Sequence, residues 1–82
     1  GEYDKALEYY EKALKICESV LGKEHPNTAT TYNNIAVVYQ DKGEYDKALE
    51  YYEKALKICE SVLGKTHPLT VAISQNIALC IQ

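Results

Sequence analysis

Residues 1–23 recur without a single change at residues 43–65, reading GEYDKALEYYEKALKICESVLGK in both places. The period is 42 residues, and seven of the seventeen positions 24–40 still match their counterparts at 66–82. A compact single-copy domain has no use for the same block twice. A period in this size range belongs to chains whose units stack on their neighbours and bury a shared core. Such an architecture offers a surface for binding rather than a pocket for chemistry.

The chain has 82 residues, near the length at which one core is marginal. It holds less than two periods, whereas repeat arrays usually need about three units. It also begins inside the repeat without Met, so we expect a piece of a longer array. Nine Lys and no Arg are interspersed with 12 Asp and Glu. That pattern makes no basic face for nucleic acid. These residues hold no long apolar run to span a membrane, and no secretory leader is expected. The three cysteines are an odd count, and Cys17 and Cys59 occupy one repeat position. A disulfide framework is therefore not expected, and a reducing, cytoplasmic compartment is. The eight Tyr are the sole aromatic residues, a narrow alphabet that follows from copying one unit, by duplication or by consensus engineering.

The unit reads as two helices. Pro26 suits a first helical turn, with Asn27 and Thr28 as polar groups near that start. Ala29, Tyr32, Ile35, Ala36 and Tyr39 follow at steps of three and four, one helical face, until Gly43 supplies a terminator. This is helix A, 26–41. Helix B, 44–63, opens on Glu44 and Asp46, which favour the helix dipole. Its stripe runs Tyr45, Ala48, Leu49, Tyr52, Ala55, Leu56, Cys59, Val62 and Leu63. Glu50–Lys54 and Glu53–Lys57 are i,i+4 pairs in the better order, and Glu8 and Glu11 are spaced likewise before Lys12 and Lys15. The chain order becomes B (2–21), A (26–41), B (44–63), A (68–82). The very short A–B turn forces an antiparallel hairpin. Ala36, Ala48 and Ala55 permit close approach. Tyr3, Tyr10, Tyr32, Tyr39, Tyr45 and Tyr52 fit core positions; Tyr9 and Tyr51 lie off the stripe, facing a neighbouring repeat or solvent.

These residues resemble the tetratricopeptide repeat, a helix–turn–helix unit of about 34 residues. The bulky first-helix residue falls on Tyr32, followed by Ile35-Ala36, Tyr39, the turn at Gly43, Tyr45, Ala48, Tyr52 and Ala55. The usual closing proline is replaced by Glu60, and helix B runs on through CESVL. That longer form is similar to the 42-residue repeats of kinesin light chains, on LGKEHPNTA, NNIAVVYQDKGEYDKALEYYEKALKI and LGKTHP. The resemblance implies an all-α fold, antiparallel helix hairpins stacked as a right-handed α-solenoid. Its A helices would line a concave groove for peptide segments of partner proteins. Asn33 and Asn34 match the paired Asn that helps hold a peptide backbone in kinesin light chains, and Gln75 and Asn76 stand at the same places. Carboxamides suit that task, offering donors and an acceptor. Asn34 reads first as a bridge between helices. Thr30, Val37 and Gln40 are further groove candidates on the same side. A clamp for a terminal carboxylate is not expected, because Thr30, Val37, Ala72 and Leu79 carry no cation.

No residue pattern signals catalysis, a metal or a cofactor. His25 and His67 lack converging ligands, the cysteines sit in apolar stripes, and the glycines end helices. The leading expectation is a non-catalytic scaffold that binds proteins or peptides. The alternative is a self-assembling array, head to tail, in which Val71, Ile77 and Ile81 of one chain meet Leu7, Tyr10 and Leu14 of the next.

Overall fold

The computed structural model describes residues 1–81, which form α1 (Glu2–Val20), α2 (Pro26–Asp41), α3 (Tyr45–Val62) and α4 (Pro68–Ile81). Gln82, expected to close the last helix, lies outside the described residues. Helices α1 and α3 are the B helices, and α2 and α4 the A helices. Leu21 and Leu63 are C-caps and Glu44 an N-cap rather than helical residues.

Both A helices start on a histidine. Nδ1 of His25 accepts the Asn27 backbone N–H at 3.0 Å, and Nδ1 of His67 accepts that of Leu69 at 3.1 Å. Each thereby satisfies one of the N–H groups a helix start leaves open. The following prolines need no such partner. Thr28 is no cap; its buried hydroxyl donates to the Gly22 carbonyl at 2.8 Å and ties α2 to the preceding loop. At the other end, Gly43 takes φ +85°. The Glu44 N–H then reaches the Tyr39 carbonyl at 2.8 Å and the Gly43 N–H that of Gln40 at 3.0 Å, a Schellman closure. Lys42 spans this turn, 3.3 Å from Glu44 and 3.4 Å from Asp4 of α1. Those carboxylates, Glu44 foremost, hold its ammonium above the usual lysine range.

The helices fill a slab 35 × 33 × 16 Å. Consecutive helices pack in pairs, α1 on α2, α2 on α3 and α3 on α4, with the α2–α3 contact the largest. Ala29, Ala36, Ala48 and Ala55 are completely buried, which lets α2 and α3 lie close. One cluster joins Ala29, Ala55, Ile58, Cys59 and Ile73; a second joins Ala36, Ala48, Tyr52 and Cys80. A third, of Leu7, Ile35 and Val38, holds α1 to α2. Helix α2 is therefore covered on two sides, whereas α4 buries only Thr70, Ile73 and Cys80.

Two tyrosines depart from expectation. Tyr52 is buried and Tyr10, Tyr32 and Tyr39 half-buried, but Tyr3 and Tyr45 are 46% and 52% exposed. They sit in the first turns of α1 and α3, where side chains lean toward the helix N-terminus and past the covering helix. Tyr51, off the stripe, becomes a hub. It stacks on Tyr39 at 5.5 Å, tilts against Tyr32 at 6.0 Å, and packs on the α1–α2 cluster. Glu8–Lys12 and Glu50–Lys54 pair at 3.4 and 3.8 Å; Glu53 and Lys57 form no ion pair among the described residues.

The self-docking residues are also redistributed. Leu7 is buried against Ile35 and Val38, with Tyr10 and Leu14 packed on the same cluster, and Ile77 packs on the two α3 clusters. These side chains serve contacts within the chain. Val71 and Ile81 remain open, 41% and 68% exposed.

His25→Ala removes the cap acceptor and should cost about 1 kcal/mol in urea unfolding, whereas His25→Asp, which keeps an acceptor, should cost less. Equal losses for the two variants would show that His25 contributes no cap.

Candidate functional site

The A helices differ from the B helices in charge. Helix α2 has Asp41 as its one charged residue, and α4 has none. Helices α1 and α3 carry Lys, Asp and Glu throughout. On the uncovered side of α2 and α4 stand Thr30, Val37, Ala72, Gln75 and Leu79, all exposed, with Asn33, Asn34 and Asn76 half-buried among them.

The structure joins two of the expected carboxamides to each other. Asn76 Nδ2 donates to Asn33 Oδ1 at 3.1 Å, linking α4 to α2 across the repeat boundary. The donor is the counterpart of Asn34, and the acceptor is Asn33, the first residue of the matched Asn pair. The bridge uses one atom of each side chain. The Asn33 amide N–H and the Asn76 carbonyl oxygen stay available, one donor set and one acceptor. Asn34 and Gln75 make no side-chain hydrogen bond among the described residues.

Gln40 does not belong with this group. Its Oε1 accepts the Tyr52 hydroxyl at 2.6 Å, so it serves a core tyrosine. Burial first, then Cys80 and Asp41, push the Tyr52 phenol up to about 12. The Thr30 hydroxyl is turned back on its own helix, donating to the Pro26 carbonyl at 3.2 Å. Gln40 and Leu79 line an open depression of about 470 Å³ with Tyr45, Asp46, Leu49, Cys80 and Ile81.

Burial pushes the thiols of Cys59 and Cys80 up, the state of core cysteines. Among the described residues no three His, Cys, Asp or Glu side chains converge, and no helix is long and apolar enough to cross a membrane. On the B side, Lys54 and Lys47 lie 5.1 and 5.4 Å from the rings of Tyr51 and Tyr39. The reading of the sequence missed this tyrosine row; its signal was the doubled Tyr51-Tyr52. Neighbours on a helix point about 100° apart, so one ring enters the core beside α4 while the other meets α2 and α1.

Stacked antiparallel hairpins whose A helices carry almost no charge and keep one side open define an all-α solenoid of the right-handed, superhelical kind. The chain belongs to the tetratricopeptide repeat family, whose profile matches residues 1–60 and 28–81, and its repeat is of the 42-residue, kinesin-light-chain-like class. Repeats of this family generally serve as protein-interaction scaffolds. Among solved structures it is similar to the crystal structure of BtubC (BKLC) from P. vanneervenii, with a TM-score of 0.88 and 30% identity over 98% of this chain. This chain spans 32% of that protein's length. A search of curated proteins finds no match.

A double-mutant cycle of Asn33→Ala and Asn76→Ala should give a coupling of roughly 0.5–1.5 kcal/mol, the worth of one hydrogen bond. Zero coupling would remove the bridge. Tyr52 makes stability fall at high pH. Its folded-state value lies above the ordinary one near 10, so its contribution is complete below about pH 10 and is lost as pH rises toward 12. Urea midpoints should decline across that window, and Tyr52→Phe should flatten the decline.

Proposed function

We propose that the chain is a non-catalytic module that binds an extended, uncharged segment of a partner protein across the open side of α2 and α4. The observation that carries this reading is the near absence of charge on both A helices, between B helices that are heavily charged. Val37, Ala72 and Leu79 offer apolar contact to alternate side chains of such a segment. The free ends of the Asn33–Asn76 bridge, with Asn34 and Gln75, supply donors and acceptors for its peptide groups. The bridge also fixes both carboxamides before a ligand arrives, which lowers the ordering cost of binding. A carboxylate-ended or strongly acidic peptide finds no cation here. The family's general role in protein interaction and the resemblance to kinesin light chain repeats both support this reading.

Selection from a random displayed peptide library tests it. The enriched sequences should be rich in apolar residues and poor in charge. Val37→Asp and Leu79→Asp should each weaken a selected peptide about tenfold or more, because an unpaired carboxylate is then desolvated, with helicity unchanged. Asn34→Ala combined with Gln75→Ala should weaken it too. Enrichment of acidic peptides, or binding that ignores all these changes, would overturn the proposal.

A further inference from the structure

Helix α1 is held to the α2–α3 hairpin at three levels along its length. In the middle is the apolar contact, Leu7 against Ile35 and Val38, with Tyr10 and Leu14 beside it. Toward the N-terminal end Asp4 reaches Lys42 in the α2–α3 turn at 3.4 Å. Toward the C-terminal end Glu18 accepts the Tyr32 hydroxyl of α2 at 3.2 Å. Asp4 and Glu18 stand about 21 Å apart along the helix at 1.5 Å per residue. All these contacts lie within the chain, between one B helix and the hairpin that follows it.

The ends and the middle act differently. Apolar burial is non-directional, so it favours contact between α1 and α2 more than any one crossing angle. A polar tie fixes two atoms at a short distance, and one placed far from the pivot resists rotation about it. The Lys42 ammonium also lies 3.3 Å from Glu44 and 5.9 Å from the Tyr39 ring, so one side chain gathers α1, α2 and α3. At the other end burial, and then Glu18, push the Tyr32 phenol up, so the hydroxyl keeps its proton and donates.

The next junction lacks that second tie. Between α3 and α4 the counterparts of Glu18 and Tyr32 are Glu60 and Ser74. Both are exposed, whereas Glu18 and Tyr32 are half-buried. No hydrogen bond joins Glu60 to Ser74 among the described residues. Two junctions built on identical B helices therefore differ in how they are fastened.

We propose that Asp4–Lys42 and Glu18–Tyr32 form a two-point clamp that fixes the angle of α1 on α2, and that this junction is a salt-sensitive joint of the array. In stacked repeats the rotation from unit to unit gives the curvature and twist of the whole. A joint that loosens thus reshapes the open side without touching it, whatever that side binds. The Lys42 tie is the adjustable one. The Asp4 side chain is 73% exposed, and about 1 M salt screens charges beyond roughly 3 Å. The Tyr32 tie is part-buried and involves one charge, so it responds less. An exposed ion pair adds little to stability; its effect here is on angle.

Residual dipolar couplings of the isotope-labelled full chain test this, because they report the orientation and order of α1 relative to α3. At low salt the two helices should be equally ordered. Lys42→Met, or salt at about 1 M, should lower the order of α1 relative to α3 with helicity unchanged. Salt should add nothing further to Lys42→Met, and Lys42→Arg should keep the wild-type order at low salt. Tyr32→Phe, which retains the ring and removes the donor, should also loosen α1, and the double variant more than either alone. If circular dichroism shows Lys42→Met unfolded, Asp4→Asn breaks the same tie. An α1 as ordered in the variants as in the wild type, or a salt response that persists without the Lys42 charge, would sink the proposal.

Discussion

The rest of the structure depends on the close approach of α2 and α3. Four alanines, Ala29, Ala36, Ala48 and Ala55, lose all solvent contact there. No single large side chain dominates the contact. Its strength comes from backbone proximity, which multiplies small dispersion contacts, and from the larger residues set around the alanines. Tyr52 closes one end with its hydroxyl satisfied by Gln40, and Ile58 and Cys59 fill the other. Once the two helices are fixed, α2 presents Ile35 and Val38 to α1, and α3 presents its second side to α4. A bulky residue at any of the four alanines would push the hairpin apart and carry both outer helices with it.

Identical sequence in two environments separates what a residue prefers from what its neighbours allow. Tyr10 and Tyr52 have the same flanking residues for several positions on either side, yet Tyr52 is 1% exposed and Tyr10 only half-buried. Burial in a stacked repeat is conferred by the helices on both sides: Tyr52 lies between α2 and α4, whereas Tyr10 meets α2 alone. Helix propensity and the apolar stripe decide that α1 is a helix and which way its face points. They do not decide what lies against that face. The stability of such an array is accordingly a sum of unit and interface contributions.

The same division explains what could be read from residues alone. Helix count, order, hairpin pairing and the buried alanines were legible, because a 3.6-residue period and positive-φ glycines are local signals. The bridge between Asn76 and Asn33 was half-legible. The carboxamides stood out, but which atom meets which depends on how α2 and α4 are set across the repeat boundary. The histidine caps were hidden behind Asn27 and Thr28, more usual capping types. Gln40 looked like a groove residue by spacing, and only the position of Tyr52 shows its oxygen engaged. Tyr51 eluded the single-stripe reading because it serves a second neighbour, and a periodicity argument for one face says nothing of the other.

Divergence within the chain follows the same contacts. Seven of the positions 24–40 match their counterparts in 66–82: His25, Pro26, Thr28, Asn34, Ile35, Ala36 and Gln40. In one copy or the other each of these has a defined structural task. They cap or open the A helix, tie it to the preceding loop, bridge to the preceding A helix, fill the core, or hold Tyr52. Thr30, Asn33 and Val37, on the open side, became Ala72, Gln75 and Leu79. All six side chains are uncharged. Size and hydrogen-bonding capacity therefore changed along the surface while its electrostatic character did not. That shared neutrality of two helices with different side chains is the feature on which the proposed reading, one continuous segment lying across both, rests.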